Sequence, residues 1–454
     1  MNDQGNEKVG VTERNTGENE IKHKDDSTLE ICEREERQDK KKTSPPDDLS
    51  PPMKALPDTV LLKVFSYLPE EQVCKVASVC EAWKRVAYDS SLWESVDLRR
   101  FHTTLDEIRL TRLIRSRMIP LLQKLNLGGL SLSPRVFQIL TKDCPKLKVL
   151  CLESVTFLEN FNATENCFPN GLSTLDLRHS SGDESAFQVI AQNVRQVENL
   201  GLSDHCITSL IVSNDLDAMF PRLSNVRVLE FSYCVALTDT MISDIALYSK
   251  SLRSLCLRRC NTFQGASLAL LIASCPLLTS LVLDGTCVND SALRAVDWEN
   301  SALTEVDLSW CRHLSSEGLK AMLPHLSKLR YLRLCCVGYG HAVTDDLLYV
   351  MSATRNQTLE ILDMSYSGSV TDTALGYFAI EHEALLYLRM HHCRLITPKI
   401  MDLIPQDSQV FIVANFPIDN EGMVLNSELL NRYTYWPTPI YMRDWSLDQR
   451  MGWR

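Results

Sequence analysis

Two clusters in this chain combine residue types that bind metals: Cys335-Cys336 and His391-His392-Cys393. Thiolates and imidazoles at short spacing suit zinc, which needs its donors within about 2.0–2.3 Å of one ion. The two clusters follow separate copies of a repeated apolar motif, and those copies belong to strands two apart, roughly 10 Å at about 4.8 Å per strand. No metal is expected. The sixteen cysteines are spread along 454 residues without a CxxC pair, so they read as reduced, buried small hydrophobes. Nothing in their placement selects one as a nucleophile. Gly338-Tyr339-Gly340 is followed by Val343 where a dinucleotide fingerprint needs glycine, so it reads as a loop. No Walker loop, HExxH helix or GxSxG elbow occurs. The expectation is a chain with no cofactor and no catalytic residue.

The elements around these residues explain why they are there. The pattern Leu-x-x-Leu-x-Leu runs from Leu122/Leu125/Leu127 through Leu252/Leu255/Leu257 to Leu385/Leu388/Met390, eleven copies at a step of about 26 residues. A weaker copy, Trp93/Val96/Leu98, lies upstream, and Val410 to Val413 sits one period downstream. That period is the period of leucine-rich repeats, in which the closely spaced apolar positions of a short strand point inward and the residues between them face the concave side. Helical stretches such as Met241-Ile242-Ile245-Ala246 close each turn, and Thr238-Asp239, Thr344-Asp345 and Thr371-Asp372 open helices with capping chemistry. Cys234, Cys260, Cys311 and Cys393 each stand three residues after the last core position of a copy.

Ahead of the repeats lies a shorter unit. Leu56-Pro57-Asp58 precedes Val60, Leu61, Val64, Phe65 and Leu68 at helical spacing, and Pro69-Glu70-Glu71 repeats that starting chemistry. A third run carries Val79, Cys80, Trp83, Val86 and Ala87. Three helices in about 35 residues make a small core, and their excess apolar positions imply a partner on one face. Residues 1–50 differ again, with 14 acidic against 9 basic residues and no Phe, Tyr or Trp, so a disordered charged tail is expected over 1–52. That tail holds −5 of the net −11, leaving a nearly balanced body and arguing against a nucleic-acid surface. No stretch offers about 18 apolar residues and the first residues have no apolar core, so no membrane contact is expected, and a cytoplasmic or nuclear location is.

The segment Leu56-Pro57-Asp58…Phe65-Ser66-Tyr67-Leu68-Pro69…Ser78-Val79-Cys80-Glu81-Ala82-Trp83…Leu92-Trp93 resembles an F-box. The repeats that follow, with their Cys, Thr-Asp and Cys-Pro signals, resemble the cysteine-containing class of leucine-rich repeats. Together, over about residues 55–412, they are similar to the F-box/LRR proteins, and Leu127-Gly128-Gly129 is similar to the short subfamily numbered twelve, from which the long acidic tail departs. The fold class this implies is α/β: a three-helix F-box over 53–99, then a curved solenoid over 100–412 with parallel strands on the concave face and helices outside. Residues 413–454 make an aromatic-rich cap or tail. The resemblance implies a non-catalytic substrate receptor of a Skp–cullin–F-box ubiquitin ligase, which works by proximity. Its F-box would bind the Skp adaptor, and through it a cullin–RING ligase, by Leu56, Pro57, Val60, Leu61, Val64, Phe65, Leu68, Val79, Cys80, Trp83 and Trp93. The alternative is a leucine-rich-repeat scaffold or inhibitor that acts without a cullin.

Periodicity assigns the side chains a protein substrate would meet. Early strands offer small or polar groups such as Asn126, Glu153 and Asp176; late strands offer Arg258, Arg259, Asp307, Trp310, Tyr331, Arg333, Tyr366, Tyr387, Arg389 and His391. Arg, Tyr and Trp dominate binding hot spots, so repeats six to eleven are the expected substrate surface, with the arginines suited to an acidic or phosphorylated segment. The last forty residues carry Phe416, Tyr433, Tyr435, Trp436, Tyr441, Trp445 and Trp453. They either cap the open end of the solenoid or fold back along the concave face, with capping favoured.

Overall fold

The computed structural model describes residues 56–416, apart from 160, 162–167, 355–356 and 405–409. The expected acidic tail and all of the C-terminal segment beyond Phe416 lie outside the described residues. Three short helices come first: α1 (Asp58–Phe65), α2 (Glu70–Ala77) and α3 (Glu81–Ala87). Pro57 and Pro69 sit at the N-caps of α1 and α2, where a missing N–H is harmless, and Asp58, Glu70 and Glu71 meet the positive ends of the helix dipoles. Phe65 meets Trp83 edge-on at 5.4 Å, and Arg85 forks onto both carboxylate oxygens of Asp58 at 2.7 and 2.9 Å, closing the trio.

The repeats form a 13-stranded sheet, wholly parallel and in sequence order. Its strands are β1 (Ser95–Asp97), β2 (Lys124–Asn126), β3 (Val149–Cys151), β4 (Thr174–Asp176), β5 (Asn199–Gly201), β6 (Val228–Glu230) and β7 (Ser254–Cys256). They continue as β8 (Ser280–Val282), β9 (Glu305–Asp307), β10 (Tyr331–Arg333), β11 (Ile361–Asp363), β12 (Tyr387–Arg389) and β13 (Phe411–Val413). The middle residue of each strand is the second apolar position of the motif, and these pair in register, as Leu255 does with Leu229 and Leu281. All three core positions in every one of the eleven copies are buried. The weak upstream copy is a full member: Trp93, Val96 and Leu98 are buried and β1 pairs with β2, so the sheet begins inside the 53–99 span.

Two tethers join successive repeats on the helical side. Thr238, Thr344 and Thr371 cap their helices as expected, and the aspartate after each cap reaches into the next repeat. Asp345 accepts from Thr371 N at 2.7 Å and Thr371 Oγ1 at 2.8 Å, and Asp372 does the same for Thr397. The repeat cysteines form the second tether. Cys260 Sγ donates to Phe231 O at 2.9 Å, Cys311 Sγ to Leu283 O at 3.1 Å and Cys393 Sγ to Met364 O at 3.3 Å, each acceptor being the last core residue of the preceding copy. A small, weakly polar side chain is what this turn accommodates. Burial pushes the Cys311 and Cys260 thiols up to about 12, so they are structural rather than nucleophilic.

The N-terminal repeats carry two features that the periodicity does not announce. A second sheet of three two-residue strands, Ser131–Leu132, Thr156–Phe157 and Ser181–Gly182, runs parallel at the strand-to-helix turn. Behind it Phe137, Phe157, Phe161, Phe168 and Phe187 make a chain of ring contacts at 5.3–5.8 Å. The three-helix unit is packed onto this end: Trp93 Nε1 donates to Ala87 O at 2.9 Å, and the buried Arg117 guanidinium lies 3.0 Å from the Tyr88 ring centre. No helix among the described residues is long and apolar enough to cross a membrane.

Candidate functional site

The three-helix unit presents one uncovered apolar stripe. Leu56, Val60, Val64, Tyr67 and Val79 are 38–61 % exposed, although each is large and apolar. Val60 and Val64 lie one turn apart on α1, which sets them on one face. The residues expected to meet an adaptor therefore divide. Leu56, Pro57, Val60, Val64 and Val79 are exposed, while Leu68, Cys80 and Trp83 are half-buried. Leu61, Phe65 and Trp93 are at most 4 % exposed and turn into the chain's own core, which leaves them nothing to offer a partner. Tyr67 belongs with the exposed set; its polar hydroxyl took it out of the apolar pattern.

On the concave face, the acid at the last strand position holds the turn that follows. Asp176 Oδ1 accepts from Arg178 N, Asp307 Oδ1 from Ser309 N and Asp363 Oδ1 from Ser365 N, at 2.9–3.1 Å. Asp307, expected to meet substrate, is 1 % exposed and spent on this turn. The arginines are compensated in the same way. Arg178 sits 2.8 Å from Asp176 and 3.7 Å from both Glu153 and Glu230. Arg258 and Arg259 both flank Asp284, at 3.0 and 3.8 Å, and Arg389 approaches Asp363 at 3.7 Å. The late face is thus not a free basic field, because arginines and carboxylates alternate along it. Burial raises the Glu230 carboxyl against the opposing pull of Arg178 and of Ser232 Oγ, which donates to it. Burial and then neighbouring Asp307 raise Asp284 to about 6, against Arg258, Arg259 and Arg333.

Cys151, Glu153 and Asp176 bring three potential ligand atoms within 4.8 Å of one another. The Arg178 guanidinium already occupies both carboxylates, and burial holds the Cys151 thiol well above its ordinary value, so the cluster is built around a side-chain cation. The other clusters do not assemble: β11 separates the strands that precede Cys335-Cys336 and His391-His392. Gly338-Tyr339-Gly340 is the expected loop, a left-handed turn.

The turn at the strand exits creates a feature no motif spells out. The second residue after the last core position is left-handed in nearly every copy: Gly129, Ser154, His179, Tyr233, Arg259, Gly285, Trp310, Cys336, Tyr366 and His392 have φ of 57–78° or, at Cys336, 56°. The turn carries the N–H of this residue to a carbonyl of the next repeat, as in Arg259 N to Asp284 O at 2.7 Å and Tyr366 N to His391 O at 2.7 Å. Glycine takes that conformation freely, whereas a side chain costs about 1–2 kcal/mol. Here the cost is borne repeatedly by large side chains. The Arg259 guanidinium lies 5.6 Å from the Trp310 ring, Trp310 6.0 Å from Tyr366, and Tyr366 stacks on His392 at 4.6 Å. Gly285 makes room: a Cβ there would sit 2.6 Å from Arg259 Cδ. Of the expected substrate residues, Arg259, Trp310 and Tyr366 join this ladder. Tyr331 and Tyr387 instead form an apolar patch with Ile361 on the sheet face, and His391 pairs with Asn415 at 2.9 Å. Arg258 and Arg389 stay with Asp284 and Asp363, and Arg333 is near enough to Asp284 to lower its pKa.

A three-helix unit with an uncovered apolar stripe, packed against a parallel-stranded solenoid of this period, is the architecture of F-box/LRR proteins, and the chain belongs to that family. The F-box-like family model matches residues 53–99, and leucine-rich-repeat models match 146–163, 251–276 and 299–323. F-box/LRR-repeat protein 12 of Homo sapiens is 30 % identical over 299 residues, covering 58 % of this chain and 88 % of the relative. The Mus musculus protein of the same name is 28 % identical over 298 residues, with the same coverage. Among solved structures, a chain of the yeast Rad7 and Elc1 complex shares the fold, with a TM-score of 0.52 and 16 % identity over 85 % of this chain and 97 % of that one.

Proposed function

We propose that this chain is the substrate-recognition subunit of a Skp–cullin–F-box ubiquitin ligase, with no catalytic residue of its own. The observation that carries the reading is the exposed stripe Leu56, Val60, Val64, Tyr67 and Val79 on a unit whose core is otherwise closed. Burying a valine or leucine side chain contributes about 1.5–3 kcal/mol, so such a stripe is a docking face for a helical adaptor of the Skp type. The contacts of the F-box with the first repeats, through Trp93 and Arg117, support a receptor that holds its cargo at a fixed distance from the conjugating enzyme. The repeats supply the capture surface along the strand exits. Co-precipitation of the full chain with the adaptor and cullin, compared with Leu56→Ala/Pro57→Ala, tests it. Recovery with the natural chain and loss of at least about tenfold with the variant is expected. No adaptor with the natural chain would favour a repeat scaffold that acts without a cullin.

A further inference from the structure

The step from Val197 to Val226 is 29 residues, against 25 for each of the two steps before it. The extra chain lies on the helical side. After the helix Asp204–Val212 the backbone passes through left-handed Asn214, with φ 60°, and a short helix, Leu216–Met219, runs on into an irregular helical segment, Phe220–Asn225. Leu216, Met219, Phe220 and Leu223 are buried, which pins this insertion to the core. Arg222 is half-buried, and Pro221, Ser224 and Asn225 are exposed. Asn225 Nδ2 donates to Arg195 O at 2.9 Å, tying the insertion to the turn Val194–Gln196 of the preceding copy. Here lies an open cleft of about 510 Å³, lined by Arg195, Ala218, Pro221, Arg222, Ser224 and Asn225. Its walls lead into β5 and β6, so it sits on the strand-entry rim, the edge of the sheet opposite the left-handed turns.

Two cations line this cleft without a counter-charge. Neither Arg195 nor Arg222 forms an ion pair among the described residues. The acids nearby in sequence do not reach them: Glu198 pairs with Arg227 at 3.1 Å, and Asp215 and Asp217 form no ion pair among the described residues. Arg222 donates from Nη1 to Ala218 O, while its Nε is buried with no acceptor. Native proteins leave few buried donors in that state, and an oxyanion is what a guanidinium fork fits. The concave-face arginines differ, since Arg258, Arg259 and Arg389 all stand beside carboxylates.

We propose that this rim cleft binds a phosphate monoester, with the guanidinium groups of Arg195 and Arg222 on its phosphoryl oxygens and the Ser224 hydroxyl donating beside them. Such an ester carries a charge of about −1.5 to −2 at pH 7 and offers three acceptor oxygens, so it answers both cations. A carboxylate, with one charge and two oxygens, answers one fork and leaves the other. A phosphorylated protein segment and a small phosphorylated metabolite present the same group, and the cleft is open enough for either. A ligand held on this rim leaves the concave face and the strand exits free.

The test uses the full chain, without adaptor, so its failure leaves the ligase reading untouched. Calorimetric titrations at low ionic strength take as probes inorganic phosphate and a five-residue Gly/Ala peptide with a central phosphoserine. Saturable binding is expected, weakened at least about tenfold by Arg195→Gln and by Arg222→Gln, and unchanged by Lys328→Gln, an exposed cation of the same rim ahead of β10. The Arg195 side chain makes no hydrogen bond or ion pair among the described residues, so Arg195→Gln separates loss of binding from loss of folding. Peptide binding is expected to weaken at least about threefold between about pH 7.5 and about pH 5, as the ester gains a proton with a pKa of about 6. A peptide bound at least about tenfold more tightly than phosphate assigns the ester to a protein partner, and equal affinity assigns it to a small anion; both uphold the site. No saturable binding overturns the proposal. So does equal binding of the same peptide with glutamate for phosphoserine, binding that survives Arg195→Gln, or an equal loss with Lys328→Gln.

Discussion

Asp284 is a concave-face carboxylate whose ionisation responds strongly to its surroundings. Its pKa near 6 lies above the ordinary value of 3.8, because burial and Asp307 outweigh Arg258, Arg259 and Arg333. The folded chain therefore binds more protons at this site than the unfolded chain between about pH 4 and 6. Its contribution to stability is greatest below about pH 4, falls as pH rises through that window and is lost above about 6. At about 1.4 kcal/mol per unit the whole swing is about 3 kcal/mol at most. Thermal denaturation at a series of pH values is expected to show this segment of slope, and Asp284→Asn to remove it. With Cys260 and Cys311 near 12, roughly one thiol in ten thousand is ionised at pH 8. Iodoacetamide should label the half-buried Cys287 of the native chain well before either, with all three equal after unfolding.

The strand-to-helix turns decide how well one repeat seats on the next. Gly182 has φ +117° in the second sheet, and a Cβ there would lie 2.1 Å from the backbone oxygen of Phe157. Neither group can step aside, so Gly182→Ala is expected to cost about 3 kcal/mol or more in urea denaturation. Gly171→Ala, whose Cβ would meet nothing closer than 3.8 Å, is the control and should be near neutral. Asp345→Ala removes both bonds that tie its helix start to Thr371, and is expected to cost about 2 kcal/mol. Each copy of the motif repeats these arrangements with different atoms: cysteine where a thiol meets the preceding carbonyl, aspartate where a helix start faces the next cap. Capping and cysteine placement were legible from spacing. Their partners were not, because those lie one period away and the bond depends on how far each turn advances.

At the scale of the whole molecule the solenoid is one-dimensional, each repeat resting on its neighbours, so the two ends and the junction carry most of the risk. A buried cation over an aromatic ring, Arg117 on Tyr88, joins the F-box to the first repeats beside the Trp93–Ala87 and Asp97–Glu70 hydrogen bonds. A desolvated contact of this kind contributes about 2 kcal/mol. Arg117→Ala is expected to raise hydrogen exchange in α3 and β1 while leaving β7 to β12 protected; uniform loosening would mean that the junction is not a separate weak point. An intact junction matters for the proposed receptor, since proximity has value only if the F-box and the capture surface keep a fixed separation.

Sequence alone determined the architecture. A period near 26 with three apolar positions can be buried only by stacking, and all eleven copies are, because hydrophobic periodicity is a local signal repeated along the chain. The uncovered stripe on α1 was also foreshadowed, since too many apolar residues for so small a core must face outward. Tertiary structure decided the rest. Arginines that read as a basic surface prove to be paired, because Arg258 and Asp284 come together only when strands 26 residues apart align. Trp310, Tyr366 and His392 became one ladder because a left-handed turn, recurring at each strand exit, aims them along a common line. That line is a property of the coil, and it exists in no single repeat.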